Sequence, residues 1–485
     1  MIIGGEKIWP PARVRRKGGV EGIPPRRSFT PDFQDLMIVA LHQILVVFRK
    51  LIHLIKIKKH GRVILQKLNF VMDTRRNIFL WLTYDFANSI LSIVFFLYFA
   101  QWIVVDKGIP DIYFNLTFTI SAVLLLFTAP VTGFFLDKYF RRITGLRYAT
   151  LATALLYGIC ALAAIFNQDL VALIFFTLGL YMYLLTLTFY TPLINDISSP
   201  SKRGKVSGLG IAANYLGQFV GLFLVLPFAN GSFSLFHSTA RAETLLPAVI
   251  AFTLFALPML IWFKEPKKAK ASFNFQSGLK ELLRETRKLF LFSGIALFLL
   301  AYFLFNDAIL TAANNFSIFL EQVWGVSDTI KTYILLSILV TSGIGGLVSG
   351  IIADRFGHKR TLVFIIVGWI LILPLVGFIN NFTLFIIVTT IMGFWLGANW
   401  AVSRSVMSYL APPRGHNLAF AYFGLVERAS SFVGPIVWGL VVTGLVSIGS
   451  ARYRFATLAV TVFIVLGLIV LIKVRSDRPG NEKGT

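Results

Sequence analysis

The sequence predicts an all-α integral membrane protein with twelve transmembrane helices in two pseudo-symmetric six-helix halves. Composition supports this fold class, since 56% of the 485 residues are apolar and only 14% are charged, against roughly 25% charged residues in soluble domains. Twelve apolar stretches are long enough to cross a bilayer, which takes about 20 residues. Motifs of the first six stretches also return in the last six. Soluble enzymes, disordered chains and coiled coils are thereby excluded.

The apolar stretches are predicted to be helices, because the bilayer core offers no water to satisfy open backbone groups. A transmembrane β-barrel would instead show shorter segments of alternating polarity, and the sequence contains none. Span 7 covers 32 residues and is expected to be tilted or broken, because it is longer than a bilayer requires. The predicted spans are residues 77–105, 112–136, 145–167, 169–194, 206–230, 244–263, 289–320, 328–353, 360–380, 382–410, 418–446 and 453–472.

The net charge of +24 would suggest a nucleic-acid partner in a soluble chain, but the positions of the charges indicate membrane topology. From residue 77 onward, 23 of 30 basic residues lie in the even-numbered gaps between spans and in the C-terminal tail, against five in the odd-numbered gaps. Lys and Arg are retained on the cytoplasmic side. Both termini are therefore predicted to be cytoplasmic, in the plasma membrane if the source is a prokaryote, and no nucleic-acid partner is expected.

These patterns divide the chain into an extension, two halves, a linker and a tail. The N-terminal extension carries 16 basic residues and is predicted to be partly disordered, with an amphipathic helix on the membrane surface. An open alternative is that the natural start is Met72 and that the extension is not part of the mature protein. The predicted parts are 1–76 (extension), 77–263 (N-terminal half), 264–288 (cytoplasmic linker), 289–473 (C-terminal half) and 474–485 (cytoplasmic tail).

Two segments show that the halves repeat each other. The loop after span 2 (133–142) and the loop after span 8 (350–360) both place a glycine four residues before an aspartate, followed by a run of bases, at an offset of 217 residues. The tripeptide Phe-Val-Gly at 219–221 in span 5 returns at 432–434 in span 11, at an offset of 213. Two repeated halves with a binding site between them at the membrane midplane are typical of secondary transporters.

The repeated loop resembles the signature loop of the major facilitator superfamily, although Phe140 replaces a usual glycine in the first copy. Three further segments resemble the vacuole-effluxer-like subfamily, whose fungal members release amino acids from vacuoles: 84–89 in span 1, 203–210 leading into span 5, and Phe305-Asn306-Asp307 in span 7. This resemblance covers about residues 75–475. It implies the twelve-helix fold and a transport function.

The resemblance also implies a gate on the cytoplasmic side. The loop aspartates Asp137 and Asp354 would face the starts of spans 11 and 5 in the opposite half, since a carboxylate is stabilised by the open N–H groups of a helix N-terminus. The alternative is a charged turn that only marks a helix end. The predicted gate residues are Gly133, Asp137, Lys138, Arg141, Arg142, Gly350, Asp354, Arg355, Gly357, His358 and Lys359.

Charged residues inside the spans are the candidates for a substrate or proton site. Each costs at least about 2.5–3.5 kcal/mol in the bilayer, so it usually faces a cavity or a partner. Arg404 and Glu427 are predicted to lie at similar depth and to pair, either to bind a zwitterion or as a structural ion pair. The asparagines have the alternative of helix–helix hydrogen bonding, and the aromatic residues that of packing. The predicted cavity residues are Asp85, Asn88, Tyr215, Gln218, Asn306, Asp307, Asn314, Trp400, Arg404, Glu427 and Arg428.

Three Gly-x-x-x-Gly motifs, at 217–221, 346–350 and 393–397, are expected to mark close helix contacts. A phosphate-binding loop, a nucleophile elbow and metal-ligand histidine spacing are absent from the sequence. An enzyme, a cofactor and a metal are therefore not expected.

The sequence predicts a secondary active transporter that moves a small solute, with amino acids among the candidates, by alternating access and with proton coupling. The expected partners are the solute, membrane lipid and a coupling proton, and the protein is expected to be a monomer. Protonation of Asp85 or Asp307 is the expected coupling event, because burial disfavours the charged form of a carboxyl group. One alternative is a facilitator or antiporter for sugars, organic acids or drugs. Another is a membrane receptor or lipid-moving scaffold that does not transport.

Replacement of a gate aspartate tests the predicted gate. The Asp137→Ala variant is expected to favour the cytoplasm-open state, because it removes the carboxylate that faces a helix N-terminus in the other half. Cysteine labelling from the cytoplasmic side measures this state. Unchanged cytoplasmic accessibility would contradict the assignment.

Overall fold

The computed structural model describes residues 62–138, 141–198, 203–265, 280, 283–284, 286–287, 290, 293–411 and 416–474. The chain divides into two compact units, Met1–Leu68 and Asn69–Thr485, and the second contains the membrane region. The predicted surface helix of the extension, most of the linker and the end of the tail lie outside the described residues. Within the described part, twelve helices are long and apolar enough to cross a membrane, which confirms the predicted number of spans.

The helices follow the predicted spans to within a few residues at most ends. Spans 1 to 10 correspond to α1–α10, span 11 to α11 and α12, and span 12 to α13. Two π-helical segments, Phe95–Phe99 and Trp102–Asp106, continue span 1 beyond α1. The helices are α1 Arg62–Val94, α2 Asp111–Lys138, α3 Arg142–Ile165, α4 Asp169–Tyr190, α5 Arg203–Ala229, α6 Leu245–Trp262, α7 Ser293–Trp324, α8 Asp328–Phe356, α9 His358–Phe378, α10 Phe382–Leu410, α11 His416–Ala429, α12 Val433–Gly444 and α13 Ala451–Lys473.

The break that the sequence suggested for span 7 lies instead in span 11. Span 7 is one uninterrupted helix of 32 residues, whereas span 11 is interrupted between Ala429 and Val433. Pro435 lies just after this interruption, at the third position of α12, where its missing N–H group costs no helix hydrogen bond. Proline alone does not open a span, because uninterrupted helices α2, α5, α6 and α9 contain Pro130, Pro227, Pro258 and Pro374.

Glycines allow the closest contact between two helices of the C-terminal half. A Cβ atom on Gly397 of α10 would fall on the carbonyl group of Ser342 in α8, and one on Gly345 would fall on the carbonyl of Phe394. The predicted motif 393–397 thus lies in a helix contact, and 217–221 packs against span 1. The motif 346–350 fits less well, because Gly350 has open space around it and the tight contact belongs to Gly345.

Substitution of Gly397 tests this contact. The Gly397→Ala variant is expected to lose about 1–3 kcal/mol of stability, because the added methyl group meets backbone that cannot move aside easily. The melting temperature in detergent measures the loss. Gly343→Ala is the matched control, since Gly343 lies in α8 with nothing within 4 Å of the position of its Cβ. Equal melting temperatures for the two variants would contradict the prediction.

Candidate functional site

A chain of polar side chains in the N-terminal half begins at Asp85 on α1. Asn214 on α5 donates from Nδ2 to Asp85 Oδ1 at 3.4 Å, and Gln218 one turn further donates from Nε2 to Asn214 Oδ1 at 2.7 Å. Asp85 is half-buried. Asp85 and Gln218 were predicted as cavity residues from the sequence, and the structure shows that Asn214 links them through these two hydrogen bonds.

Two aromatic residues fix α1 beside α4 at the depth of Asp85. Trp81 and Tyr190 stack with ring centroids 4.8 Å apart. Trp81 donates from its indole N–H to the Tyr190 carbonyl at 3.3 Å, and the Tyr190 hydroxyl donates to the Trp81 carbonyl at 2.9 Å. Because both polar ends are satisfied, the pair sets the position of the α1 turn that carries Asp85.

The C-terminal half contributes the expected ion pair between Arg404 and Glu427. Arg404 Nη2 lies 3.2 Å from Glu427 Oε1, and 44% of the Arg404 side chain is accessible. Arg404 and Asp85 come from opposite halves, and their charges lie within electrostatic range of each other.

Arg428 reaches from the C-terminal half into the N-terminal half. Its Nη2 donates to the hydroxyl of Thr191, at the end of α4, at 2.7 Å. Thr191 is neutral, so this contact leaves the charge of Arg428 without a carboxylate of its own. Asp85 of one half and Arg428 of the other both lie within electrostatic range of Tyr183, and Arg404 lies within range of both. One negative and two positive groups from the two halves thus share a region, with Glu427 beside Arg404.

The remaining cavity candidates differ in their surroundings. Asn88 is buried, and neither its amide nitrogen nor its amide oxygen has a hydrogen-bond partner in the described structure. Tyr215, Trp400 and Asn314 are half-buried. The next residue, Asn315, makes a contact between the halves that was not predicted. It exchanges two hydrogen bonds with Asn115 of the N-terminal half, at 3.0 and 2.8 Å.

Asp307 and Asn306 on α7 contact the interruption of span 11. Asp307 Oδ1 accepts from the N–H of Phe432 at 2.9 Å, and Oδ2 accepts from the N–H of Gly434 at 2.6 Å. Asn306 donates to the hydroxyl of Ser430 at 2.5 Å. Both oxygens of Asp307 are thus occupied by backbone donors.

A group of five charged residues joins the two halves at the end of the bundle opposite the loop motifs. We call these residues the charge cluster, and we call the end that carries the loops 133–142 and 350–360 the motif face. Arg241 contacts Asp106 at 2.6 Å, Glu321 at 2.7 Å and Asp328 at 3.0 Å. The charge cluster consists of Asp106, Arg241, Glu321, Asp328 and Lys331.

Lys331 completes the charge cluster from the C-terminal half. Its fully buried ammonium lies 2.6 Å from Glu321 and 2.8 Å from Asp328. Sequence reasoning used Arg241 and Lys331 only as topology markers. The sequence did contain a signal for the charge cluster, because the acids Asp106, Glu321 and Asp328 lie at the ends of spans on the same side as these two bases.

Further bonds cross between the halves near the charge cluster. Tyr453 of span 12 donates to Asp111 at the start of span 2 at 3.1 Å, and the Tyr98 and Thr332 hydroxyls lie 3.3 Å apart. Together with Asn115 and Asn315, these bonds close the bundle at the end opposite the motif face.

Three gate residues at the motif face make contacts within their own half. Arg142 pairs with Asp196 at 3.7 Å. His358 and Ser405 share a hydrogen bond of 2.8 Å. Lys359 donates to the carbonyls of Ile472 and Val474 at the end of α13.

The predicted latch between the halves is only partly described. Asp354 is exposed, and the described structure shows no hydrogen bond or ion pair for its side chain. Arg141 and Arg355 are exposed as well, and Gly357 ends α8 with a φ of 95°. The structure does not describe the surroundings of Gly133 or the side chains of Asp137, Lys138 and the first residues of α5 and α11, so the latch stays a prediction.

The bundle of twelve spans, with a charged region between two repeated halves, defines a membrane transporter of the major facilitator superfamily, and residues 23–222 match that superfamily. Residues 194–483, more than half of the chain, match the family described as vacuole effluxer Atg22 like. The chain belongs to this family, whose fold and relatives are those of transporters and not of enzymes.

Relatives and solved structures agree with this family. The chain is 24% identical over 416 residues to YxiO, an uncharacterised MFS-type transporter of Bacillus subtilis (strain 168), covering 81% of this chain and 93% of that protein. It is 31% identical over 182 residues to autophagy-related protein 22 of Pichia angusta, covering 34% of this chain and 32% of that protein. A bacterial homologue of the human lysosomal transporter Spinster, in an inward-facing and unoccupied conformation, has a similar fold, with a TM-score of 0.64, 13% identity and coverage of 84% and 96% of the two chains.

Removal of Arg241 tests whether the charge cluster holds the halves together. In Arg241→Ala, Glu321 and Asp328 keep Lys331, which belongs to their own half, while Asp106 of the other half loses its ion pair. The halves are therefore expected to separate at this end. Spin labels at Asn230→Cys and Ile330→Cys measure the separation as a longer inter-label distance. The native Cys160 is buried and is replaced by Ser as background.

Lys107→Ala is the matched control, because Lys107 lies at the same end but contacts Asn167 and Asp169 of its own half. An inter-label distance that stays the same in Arg241→Ala would contradict the proposed role of the charge cluster.

Proposed function

We propose that this protein is a proton-coupled secondary active transporter of small solutes, with amino acids as the substrate class. The observation that carries the proposal is the meeting of Asp85 from one half with Arg404 and Arg428 from the other in one region. A residue set divided between the halves can bind a solute in a way that depends on how the halves are arranged, which alternating access requires.

The charges of this region suit a zwitterion. Asp85 can accept hydrogen bonds from an ammonium group, and Arg428, whose recorded hydrogen bond goes to a neutral hydroxyl, can bind a carboxylate. Asn88 lies one turn from Asp85 on the same helix face and has unused donor and acceptor atoms, which a polar solute or a water molecule can satisfy.

Of the two aspartates considered for proton coupling, the surroundings favour Asp85. It is half-buried, and the hydrogen bond that its side chain accepts within the described part of the chain, from Asn214, is long at 3.4 Å. The charge of Arg404 acts on it from the other half, so its interactions change when the halves move. Asp307 accepts backbone N–H groups with both oxygens, so a proton bound there would weaken the hydrogen bonds that hold span 11.

Alternating access requires that one end of the bundle closes while the other opens. The charge cluster and the bonds near it close one end in this conformation. We infer that the motif face is the cytoplasmic side, because the basic residues concentrate there, and that the latches of Asp137 and Asp354 form when that side closes. The termini are then cytoplasmic.

One observation favours a second candidate, an exchanger or facilitator of organic anions. The region contains two guanidinium groups, and Glu427 forms its ion pair with that of Arg404, so the net positive charge can bind an anion that has no ammonium group. A thermal-shift screen separates the candidates, since a ligand at about 100 times its Kd stabilises the native state by about 2.7 kcal/mol. Stabilisation by organic acids or sugars, and by no amino acid, would overturn the proposed substrate class.

The coupling role of Asp85 is tested by flux in proteoliposomes. In Asp85→Asn, flux driven by a proton gradient is expected to be lost, because an amide cannot bind and release the coupling proton. Solute exchange without a gradient is the companion measurement. Asp169→Asn is the matched control, since Asp169 pairs with Lys107 within one half. Gradient-driven flux that persists in Asp85→Asn would contradict proton coupling through this residue, and no flux with any solute would favour a receptor or scaffold.

A further inference from the structure

Span 11 is interrupted, whereas its counterpart in the other half, span 5, is continuous. The repeated sequence of the two halves does not predict this difference. Residues 219–221 and 432–434 are the same tripeptide, yet the first lies inside the uninterrupted helix α5 and the second at the start of α12. The next residue is Leu222 in the first copy and Pro435 in the second. Pro435 thus stands in the first turn of α12, where a proline is tolerated because no helix acceptor waits for its N–H group.

An interruption inside the membrane leaves backbone groups that need partners. The N–H groups at the start of α12 have no acceptor within the helix, and the bilayer core supplies no water. Asp307 of α7 provides the acceptors, one oxygen for Phe432 and one for Gly434. The carboxylate also lies at the positive end of the α12 dipole. It therefore acts as an N-terminal cap supplied by another helix.

The residue before Asp307 binds the other side of the interruption. Asn306 donates to the Ser430 hydroxyl at 2.5 Å and to the Glu427 carbonyl at 3.4 Å, and Ser430 donates to the same carbonyl at 3.0 Å. These contacts satisfy the end of α11, directly after the turn that carries Glu427 and Arg428. One dipeptide of α7 thus holds both ends of the interruption.

The fit around Asp307 is close enough to require glycine at position 434. A Cβ atom there would overlap the Thr311 hydroxyl and would lie 3.2 Å from Asp307 Oδ2. Any larger residue at 434 would thus press on the capping carboxylate.

We propose that Asp307 is a positioning residue, whose carboxylate caps α12, maintains the interruption of span 11 and thereby sets the place of Glu427 and Arg428 in the transport site. The cap is independent of what the protein transports. The consequence for the solute rests on the proposed function. In this role Asp307 keeps its charge through the cycle, and the pH dependence of transport comes from another group.

Hydrogen exchange tests the cap without any assumption about function. In Asp307→Asn, one oxygen is replaced by an NH₂ group that faces a backbone N–H. Amides of residues 430–434 and of Ile436 are expected to exchange about tenfold faster, which is the usual effect of losing a helix cap. Gly434→Ala, which displaces the carboxylate and leaves its charge intact, is expected to speed exchange of the same amides. Gly444→Ala is the matched control, because it lies in the same helix with nothing within 4 Å, and it is expected to leave exchange unchanged.

Transport kinetics separate positioning from proton carriage. Asp307→Asn and Gly434→Ala are both expected to raise KM by about tenfold while the pH at half-maximal flux stays at the wild-type value. Asp85→Asn is expected to lose the pH dependence and to leave exchange at 430–436 unchanged.

Exchange at wild-type rates in both Asp307→Asn and Gly434→Ala would overturn the cap. Faster exchange with a wild-type KM and a lost pH dependence in Asp307→Asn would make Asp307 the proton carrier and overturn its positioning role. If wild-type protein transports no solute, the proposed function fails, while the exchange result still decides the cap.

Discussion

The absence of water in the bilayer core is the constraint on which this structure depends. Where the chain forms continuous helices, the constraint is met locally. Where span 11 is interrupted before α12, the open N–H groups must be satisfied by another helix, and the Asp307 carboxylate does so. The interruption lies one turn after Glu427 and Arg428. The cap that the lack of water requires therefore also sets the position of these two charged side chains.

The two ends of the bundle differ in how the halves are joined. At one end, Arg241 binds acids from both halves, and the fully buried Lys331 is held by two of the same acids. At the motif face, the described contacts of Arg142, His358 and Lys359 lie within single halves. A buried charge network is stable only while all of its members remain paired, so movement of the halves at that end would be cooperative.

Much of the site could be predicted because a charge inside a membrane span is rare and costs free energy unless it faces a cavity or a partner. Arg404 and Glu427 were predicted to pair because they lie at similar depth in their spans, and the structure contains this ion pair. The same reasoning could not separate Asp85 from Asp307, because each is a single carboxylate in an apolar helix. Their partners differ: an amide side chain for Asp85 and two backbone N–H groups for Asp307. Likewise, Asn314 and Asn315 are equivalent in sequence, and only the helix rotation decides which one meets Asn115.

The sequence by itself determined the number of spans, the repeat and the positions where charge enters the membrane, because hydrophobicity and charge act through the solvent and need no knowledge of neighbours. Only the tertiary structure decided which helix is interrupted, which carboxylate caps it and which charges join the halves. Arg241 meets Asp106, Glu321 and Asp328 from positions up to 135 residues apart, and such partners are set by how helices pack, which no local pattern along the chain records.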